Sequence, residues 1–360
     1  MSDLNTVLLH CRGGFEKECA AEIVARSAEQ GVFGYPQFEA GQAYVLFHCH
    51  APGGAEELVT RLRFERLIFA RQWCACLPLV SGLSKRDRIT PLLEQCRQLP
   101  QAAELMVEVA DTTEGRELQG FARKFGSALS QALRQEEILL PRKQKSDWRM
   151  HLFVIDGQTL WLGAAPARNS SPLPMGIRRL KFPHHAPSRS TLKLEEAWLH
   201  FLSAGRQKRL LAPGMTAVDL GAAPGGWTWQ LVKHHMRVTA VDNGPMDEAL
   251  MESGQVEHRQ EDAFTFVPPK PVDWLVCDIV DKPARVTELM LRWALSGWCK
   301  QAMFNLKLPM KKRFDEVEHC LQHLEAALHE AGVEYRLRAR QLYHDREEIT
   351  CWLSLSEPGQ

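Results

Sequence analysis

Residues 216–227 read T-A-V-D-L-G-A-A-P-G-G-W. Ala217, Val218 and Leu220 form a short apolar run around one acidic residue, Asp219. The run breaks into Gly221, Pro224, Gly225 and Gly226, and a helix-like stretch follows over 227–233. Strand, glycine-rich turn and helix start together make a ligand cradle. Glycine lets backbone approach the ligand closely, and the helix start presents free N–H groups. A chain carrying this turn is expected to build an open α/β sheet around it.

The ligand is not expected to be a dinucleotide. The G-x-G-x-x-G spacing is missing, and Pro224 sits inside the turn. Asp219 would set a carboxylate opposite the ammonium and sulfonium of S-adenosylmethionine rather than opposite a pyrophosphate. A second apolar run, 238–241, ends at Asp242, where an acidic residue about 20 positions on binds ribose hydroxyls in βαβ nucleotide sites. Asp262, in Q-E-D-A-F, lies about as far again along the chain, where a further strand end would bring it near the adenine.

At 360 residues, two domains are expected. The segment N-S-S-P-L-P at 169–174 is polar, and its prolines end regular structure, so it marks the boundary. Region 1–170 reads as α+β, and 171–360 as alternating strands and helices of a doubly wound sheet. Strands are expected at 7–11, 44–49 and 105–110. A hairpin over 151–155 and 159–164 turns at Asp156-Gly157. Helices are expected at 15–25, with Phe15, Cys19, Ala20, Ile23 and Val24 inward, and at 121–133.

Lys and Arg total 44 and Asp and Glu 44, so any surface for a polyanion must be a local patch. One such patch is Arg123, Lys124, Arg134, Arg142, Lys143, Lys145 and Arg149 with Trp148 among them, a composition suited to phosphate contact and base stacking. The ten cysteines include no C-x-x-C pair and read as reduced, mostly buried thiols. His319 and His323 stand four apart without a third ligand, so no metal is expected. No apolar run approaches a membrane span, and the start lacks a secretory pattern, which points to a cytoplasmic protein.

Four polar residues fall where elements end or face the glycine-rich turn. Lys193 lies on a helix striped by Leu194, Ala197, Trp198, Phe201 and Leu202. Asp278 closes W-L-V-C-D, and Lys307 closes M-F-N-L-K. Glu348 opens the last strand, with Glu347 beside it as the alternative. A sulfonium already carries a good leaving group, so methyl transfer needs only a positioned, deprotonated nucleophile. A ribose 2′-hydroxyl is a weak acid that a neutral lysine can deprotonate. Lys307 is the candidate base, Asp278 and Glu348 its orienting carboxylates, and Lys193 a second cation. Methylation of C5 in a pyrimidine would need a cysteine nucleophile, but Cys277 precedes the strand-end Asp278 and faces away by strand alternation.

These residues resemble the FtsJ-like family of RNA 2′-O-ribose methyltransferases, whose Lys-Asp-Lys-Glu tetrad sits on a Rossmann-like sheet. The likeness rests on S-R-S-T-L-K-L-E-E, D-L-G-A-A-P-G-G-W, V-C-D, the strand-end Lys307 and R-E-E-I, over roughly residues 185–355. It extends to bacterial 23S rRNA ribose methyltransferases of that type through L-L-H-C-R-G-G-F-E-K-E-C-A-A-E-I, R-L-K-F-P, L-K-L-P-M-K-K-R and Q-L-Y-H-D-R-E-E. The resemblance implies a C-terminal Rossmann-like methyltransferase sheet preceded by an α+β THUMP-type RNA-binding region. It implies S-adenosylmethionine as cofactor, held by Ser190, Ala223, Pro224, Gly225, Gly226, Asp242, Asp262 and Asp278. It further implies a cytidine of 23S rRNA as substrate and Lys307 as proton acceptor; the chain is expected to be a monomer. A catalytically silent RNA-binding assembly factor is the alternative, which an intact tetrad disfavours.

Overall fold

The computed structural model describes residues 4–355, and the chain divides between Ile177 and Arg178 into two compact units. The first contains β1 (Thr6–His10), α1 (Glu16–Glu29), β2 (Gly34–Gln37), β3 (Tyr44–Cys49), α2 (Gly54–Arg61) and β4 (Gln72–Cys76). It continues with α3 (Thr90–Cys96), β5 (Leu105–Glu108), α4 (Thr113–Gln135), β6 (Trp148–Val154) and β7 (Leu160–Pro166). The strands form one seven-stranded sheet in the order β2-β3-β1-β4-β7-β6-β5. Every neighbouring pair is antiparallel except β5 with β6. Leu8, Cys74, Phe153 and Trp161 pack together on it.

Two local expectations need correction. Val24 was placed on the buried face of α1 but is 40% exposed, because α1 turns its Cys19–Ile23 side inward. The helix expected at 121–133 begins eight residues earlier, where the Thr112 hydroxyl accepts from the Gly115 N–H at 3.0 Å and caps α4.

The proline-bearing segment 169–174 is not a loose connector. Asn169 Oδ1 accepts from the Phe64 N–H at 2.8 Å, and its amide donates to the carbonyls of Val59 and Leu62. The Gln72 amide donates to the Ser171 carbonyl at 2.8 Å. Backbone without a ladder partner is thereby satisfied by side chains. The segment belongs to the first unit, and the division falls beyond it.

The second unit comprises α5 (Thr191–Phe201), α6 (Ala204–Leu210), β8 (Thr216–Leu220), α7 (Gly226–Lys233), β9 (Arg237–Val241), α8 (Glu248–Glu252) and β10 (Val256–Arg259). After these come β11 (Val272–Cys277), α9 (Pro283–Leu295), β12 (Cys299–Lys307), α10 (Arg313–Glu330), β13 (Arg336–Arg340) and β14 (Glu348–Ser354). Its seven-stranded sheet runs β10-β9-β8-β11-β12-β14-β13. The first five strands are parallel, and β14 is antiparallel to both β12 and β13. Leu194 and Trp198 of α5 pack with Trp274, Met303 and Trp352 of the sheet.

Two consequences position the site. The chain moves outward from β8 to β9 and β10, then returns to lay β11 on the other side of β8. That reversal opens a crevice at the carboxyl ends of β8 and β11, the place where open α/β sheets bind ligands. Antiparallel β14 brings its first residue to the carboxyl end of β12, so Glu348 lies opposite Lys307. No described helix is long and apolar enough to cross a membrane.

Candidate active site

Asp278 follows the last residue of β11, Lys307 ends β12, Glu348 starts β14, and Lys193 projects from α5. Their side chains close a ring. Lys307 Nζ lies 2.6 Å from Asp278 Oδ1 and 3.5 Å from Glu348 Oε2. Lys193 Nζ lies 3.1 Å from Asp278 Oδ2 and 2.7 Å from Glu348 Oε1. All four are largely withdrawn from water, Glu348 most at 6% side-chain exposure, so their mutual field is only weakly screened. Glu347 turns outward instead, pairing with Arg313 at 2.5 Å.

Burial works against the charge on Lys193, but Asp278 and Glu348 outweigh it and lift its pKa well above that of an ordinary lysine. Burial likewise works against the Asp278 carboxylate, yet Lys193 and Lys307 hold its pKa below the usual value. Lys193 is therefore a permanent cation and Asp278 a permanent anion at neutral pH.

A second tier of residues escaped the sequence reading. Asn305 donates its amide to Asp278 Oδ1 at 2.9 Å. The Thr350 hydroxyl lies 2.8 Å from Asn305 Oδ1 and 3.0 Å from Asp345 Oδ1. Asp345 is fully buried, and burial raises its pKa well above normal. Asn305 sits two residues before Lys307 on β12, so strand alternation puts both on one face. That period was the available signal.

The glycine-rich turn packs beside the ring. Gly225 has φ 117°, and a Cβ there would come within 2.4 Å of Leu250 Cδ2. A Cβ on Gly226 would meet Ser190 Oγ at 2.1 Å. Asp242 Oδ2 accepts from the Ala223 N–H at 3.1 Å and Oδ1 from the Gly244 N–H at 2.7 Å. A carboxylate has about four acceptor positions, so Asp242 braces the turn and still has lone pairs for a ligand. Ser190, the 223–226 turn and Asp242 thus lie together. Asp262 is exposed, and its carboxylate accepts from the Phe264 N–H at 2.9 Å, a local turn bond.

Asp219 has its partner inside the fold. It is 1% exposed, and its carboxyl accepts the Thr228 hydroxyl at 2.6 Å, tying β8 to α7 from beneath. Burial pushes its pKa up to about 7. The folded state therefore holds this proton more tightly than the unfolded chain, whose carboxyl titrates near ~3.9. Protonation stabilises the fold increasingly as pH falls from about 7 toward that value. Relative to Asp219→Asn, the wild type should gain stability between about pH 8 and about pH 5 in urea titrations. Parallel pH profiles for the two proteins would contradict this placement of Asp219.

Cys277 is fully buried, and burial pushes its thiol up to about 12, far from a usable nucleophile. A concavity of about 450 Å³ opens at the opposite edge of the sheet, between Thr216, Arg237, Val256 and Pro271. It is bordered by strand starts, away from the crevice where sheets of this kind bind ligands.

In the first unit, Arg123, Lys124, Arg142, Lys143 and Lys145 are exposed as expected. Arg134 and Arg149 leave the patch. Arg134 donates to Ser130 Oγ at 2.6 Å and to the Ala103 carbonyl at 3.1 Å. Arg149 is 7% exposed, pairs with Glu104 and donates to Ser170 and Ser171. Both are internal braces.

Residues 186–329 match the family model described as FtsJ-like methyltransferase, the class to which this sheet and its strand-end residues conform. Residues 4–74 match an RlmM ferredoxin-like domain. Residues 87–165 match the N-terminal model of ribosomal RNA large subunit methyltransferase M. The enzyme of that name from Cellvibrio japonicus is 52% identical over 350 residues, covering 97% of this chain and 99% of the relative. Its counterpart from Proteus mirabilis is 51% identical over 349 residues, 96% of each chain, and that from Shewanella woodyi is 48% identical over 352, covering 97% and 98%. The chain belongs to the ribosomal RNA large subunit methyltransferase M family.

Proposed function

We propose that this protein methylates the ribose 2′-hydroxyl of a cytidine in 23S rRNA, using S-adenosylmethionine, with Lys307 as general base. The observation that carries the reading is the closed ring of Lys193, Asp278, Lys307 and Glu348 beside a glycine turn packed so closely that a side chain at Gly225 or Gly226 would collide with Leu250 or Ser190. When bound, the cofactor supplies a methyl group on a sulfonium, a leaving group that needs no acid.

The chain's own residues supply the rest. The 223–226 turn and Ser190 would hold the cofactor, with Asp242 for its ribose hydroxyls and Asp262 for its adenine. Lys193 keeps its proton and holds Asp278 and Glu348 as anions. With Lys307 neutral, the ring then carries one net negative charge. That field favours proton arrival at Lys307 Nζ, so the amine would take the 2′-hydroxyl proton while the methyl–sulfur bond of the bound cofactor would break to leave a neutral thioether. Asp278, fixed by Asn305, aims the amine. Transfer onto rRNA followed by alkaline hydrolysis tests this, since a 2′-O-methyl group blocks cleavage at its own nucleotide. A methyl group on a base would overturn it.

The α+β first unit serves in this account as a THUMP-type RNA grip, supported by its exposed basic residues. Reversing Arg142, Lys143 and Lys145 to glutamate should weaken rRNA binding and flatten its salt dependence. Each lost phosphate contact lowers the log–log slope by about one. An unchanged slope in filter binding across salt would mark these residues as a solvated face only.

A further inference from the structure

Val280 and Met310 are 86% and 85% exposed, whereas the other outward-facing large apolar residues range from 36% to 62%. A single exposed apolar side chain is ordinary. These two flank the ring: Val280 follows Asp278 on the loop leaving β11, and Met310 follows Lys307 on the loop leaving β12. The two strands are parallel neighbours with Cys277 opposite Phe304, so both loops leave the same edge of the sheet side by side.

Neither loop is slack. Ile279 packs against Gly221, where an added Cβ would come within 2.6 Å of it. Asp281 is held by Arg285 at 2.7 Å and accepts from the Lys282 N–H at 2.7 Å. Across the crevice, the Leu308 N–H donates to the Glu347 carbonyl at 2.7 Å, and Arg313 donates to the Pro309 carbonyl at 3.1 Å. Pinned loops that hold large apolar groups almost wholly in water are pre-organised for an apolar occupant.

Charge identifies that occupant. The acidic neighbours Asp281 and Glu347 are paired with Arg285 and Arg313, while Lys282, Lys311 and Lys312 are exposed beside the two apolar residues. Two exposed apolar side chains, each with exposed lysines beside it in the chain, suit a nucleotide, whose base has an apolar face and whose phosphate is anionic. We propose that Val280 and Met310 form the seat for the base of the nucleotide whose ribose enters the ring, with Lys311 and Lys312 on its flanking phosphate. The assignment rests on the ribose methylation proposed above.

Both side chains are solvent-exposed, so Val280→Ser with Met310→Ser should leave folding and cofactor affinity unchanged. Methylation of rRNA should lose roughly tenfold or more in kcat/KM, the scale of one lost base contact. Met310→Leu should restore most of it to a Val280 background. Full-length protein carrying Met310→p-benzoylphenylalanine should photocrosslink to the methylated nucleotide of rRNA. A double serine variant at the wild-type kcat/KM, or a crosslink confined to other nucleotides, overturns the base seat. A crosslink to the modified nucleotide with the methyl found on its base would leave the seat standing and overturn the ribose reading.

Discussion

Lys307→Ala is expected to stop methyl transfer while leaving cofactor and rRNA binding close to wild type. A positioned base contributes about 10²–10⁴-fold, and the loss should be confined to the chemical step. The amine ends a fully paired strand, and its 2.6 Å contact with Asp278 fixes its direction. Lys307→Arg should fail almost as completely, since a guanidinium keeps the positive charge but cannot shed a proton near neutral pH. Single-turnover methylation by both variants checks this. A near-normal rate in Lys307→Arg would make Lys307 a fixed charge and move the base elsewhere in the ring.

Gly225→Val is expected to abolish cofactor binding by a different route. The backbone at Gly225 has φ 117°, a region closed to β-branched residues. Forcing one into it costs on the order of 1–3 kcal/mol of strain. The new Cβ would also sit 2.4 Å from Leu250 Cδ2 and 3.1 Å from Met246 Cε, displacing α8 toward its neighbours. The affinity for S-adenosylmethionine should fall by roughly 10²-fold or more. Calorimetric titration reads this directly, and urea unfolding shows whether the rest of the fold survives. Wild-type affinity in this variant would remove the turn from the cofactor site.

The features that were legible in the sequence share one property: their signal is local. Glycines break the strand ending at Leu220, Asp242 ends an apolar run, Asp278 closes a run of four apolar residues, and Lys307 closes a largely apolar strand interrupted by Asn305. Strand ends on one edge of a parallel sheet converge whatever the loops do, so the ring could be assembled from four separate ends. Its exact partner at the last strand needed the antiparallel direction of β14, which only the register of Lys307 with Glu348 makes plain. The strands β10 (V-E-H-R) and β13 (R-L-R-A-R) escaped notice because edge strands need not alternate with an apolar core face.

Other misreadings came from tertiary context. Arg134 and Arg149 belong to a basic run in the sequence and to internal hydrogen bonds in the fold. Segment 169–174 has linker composition, but the Asn169 side chain satisfies three backbone groups of the first unit. Apart from the Ser130 contact of Arg134, these partners lie more than two helical turns away along the chain, and composition carries no trace of them.

On this reading, the ring built on Lys307 directs a methyl group to one ribose of 23S rRNA. Mapping ribose methylation in rRNA from cells lacking this protein, complemented in turn by wild type and by Lys307→Ala, tests it most directly. One 2′-O-methylated cytidine should disappear, return with the wild type, and stay absent with Lys307→Ala produced at the same level. Unaltered ribose methylation in the deleted cells, or its return with Lys307→Ala, would contradict it.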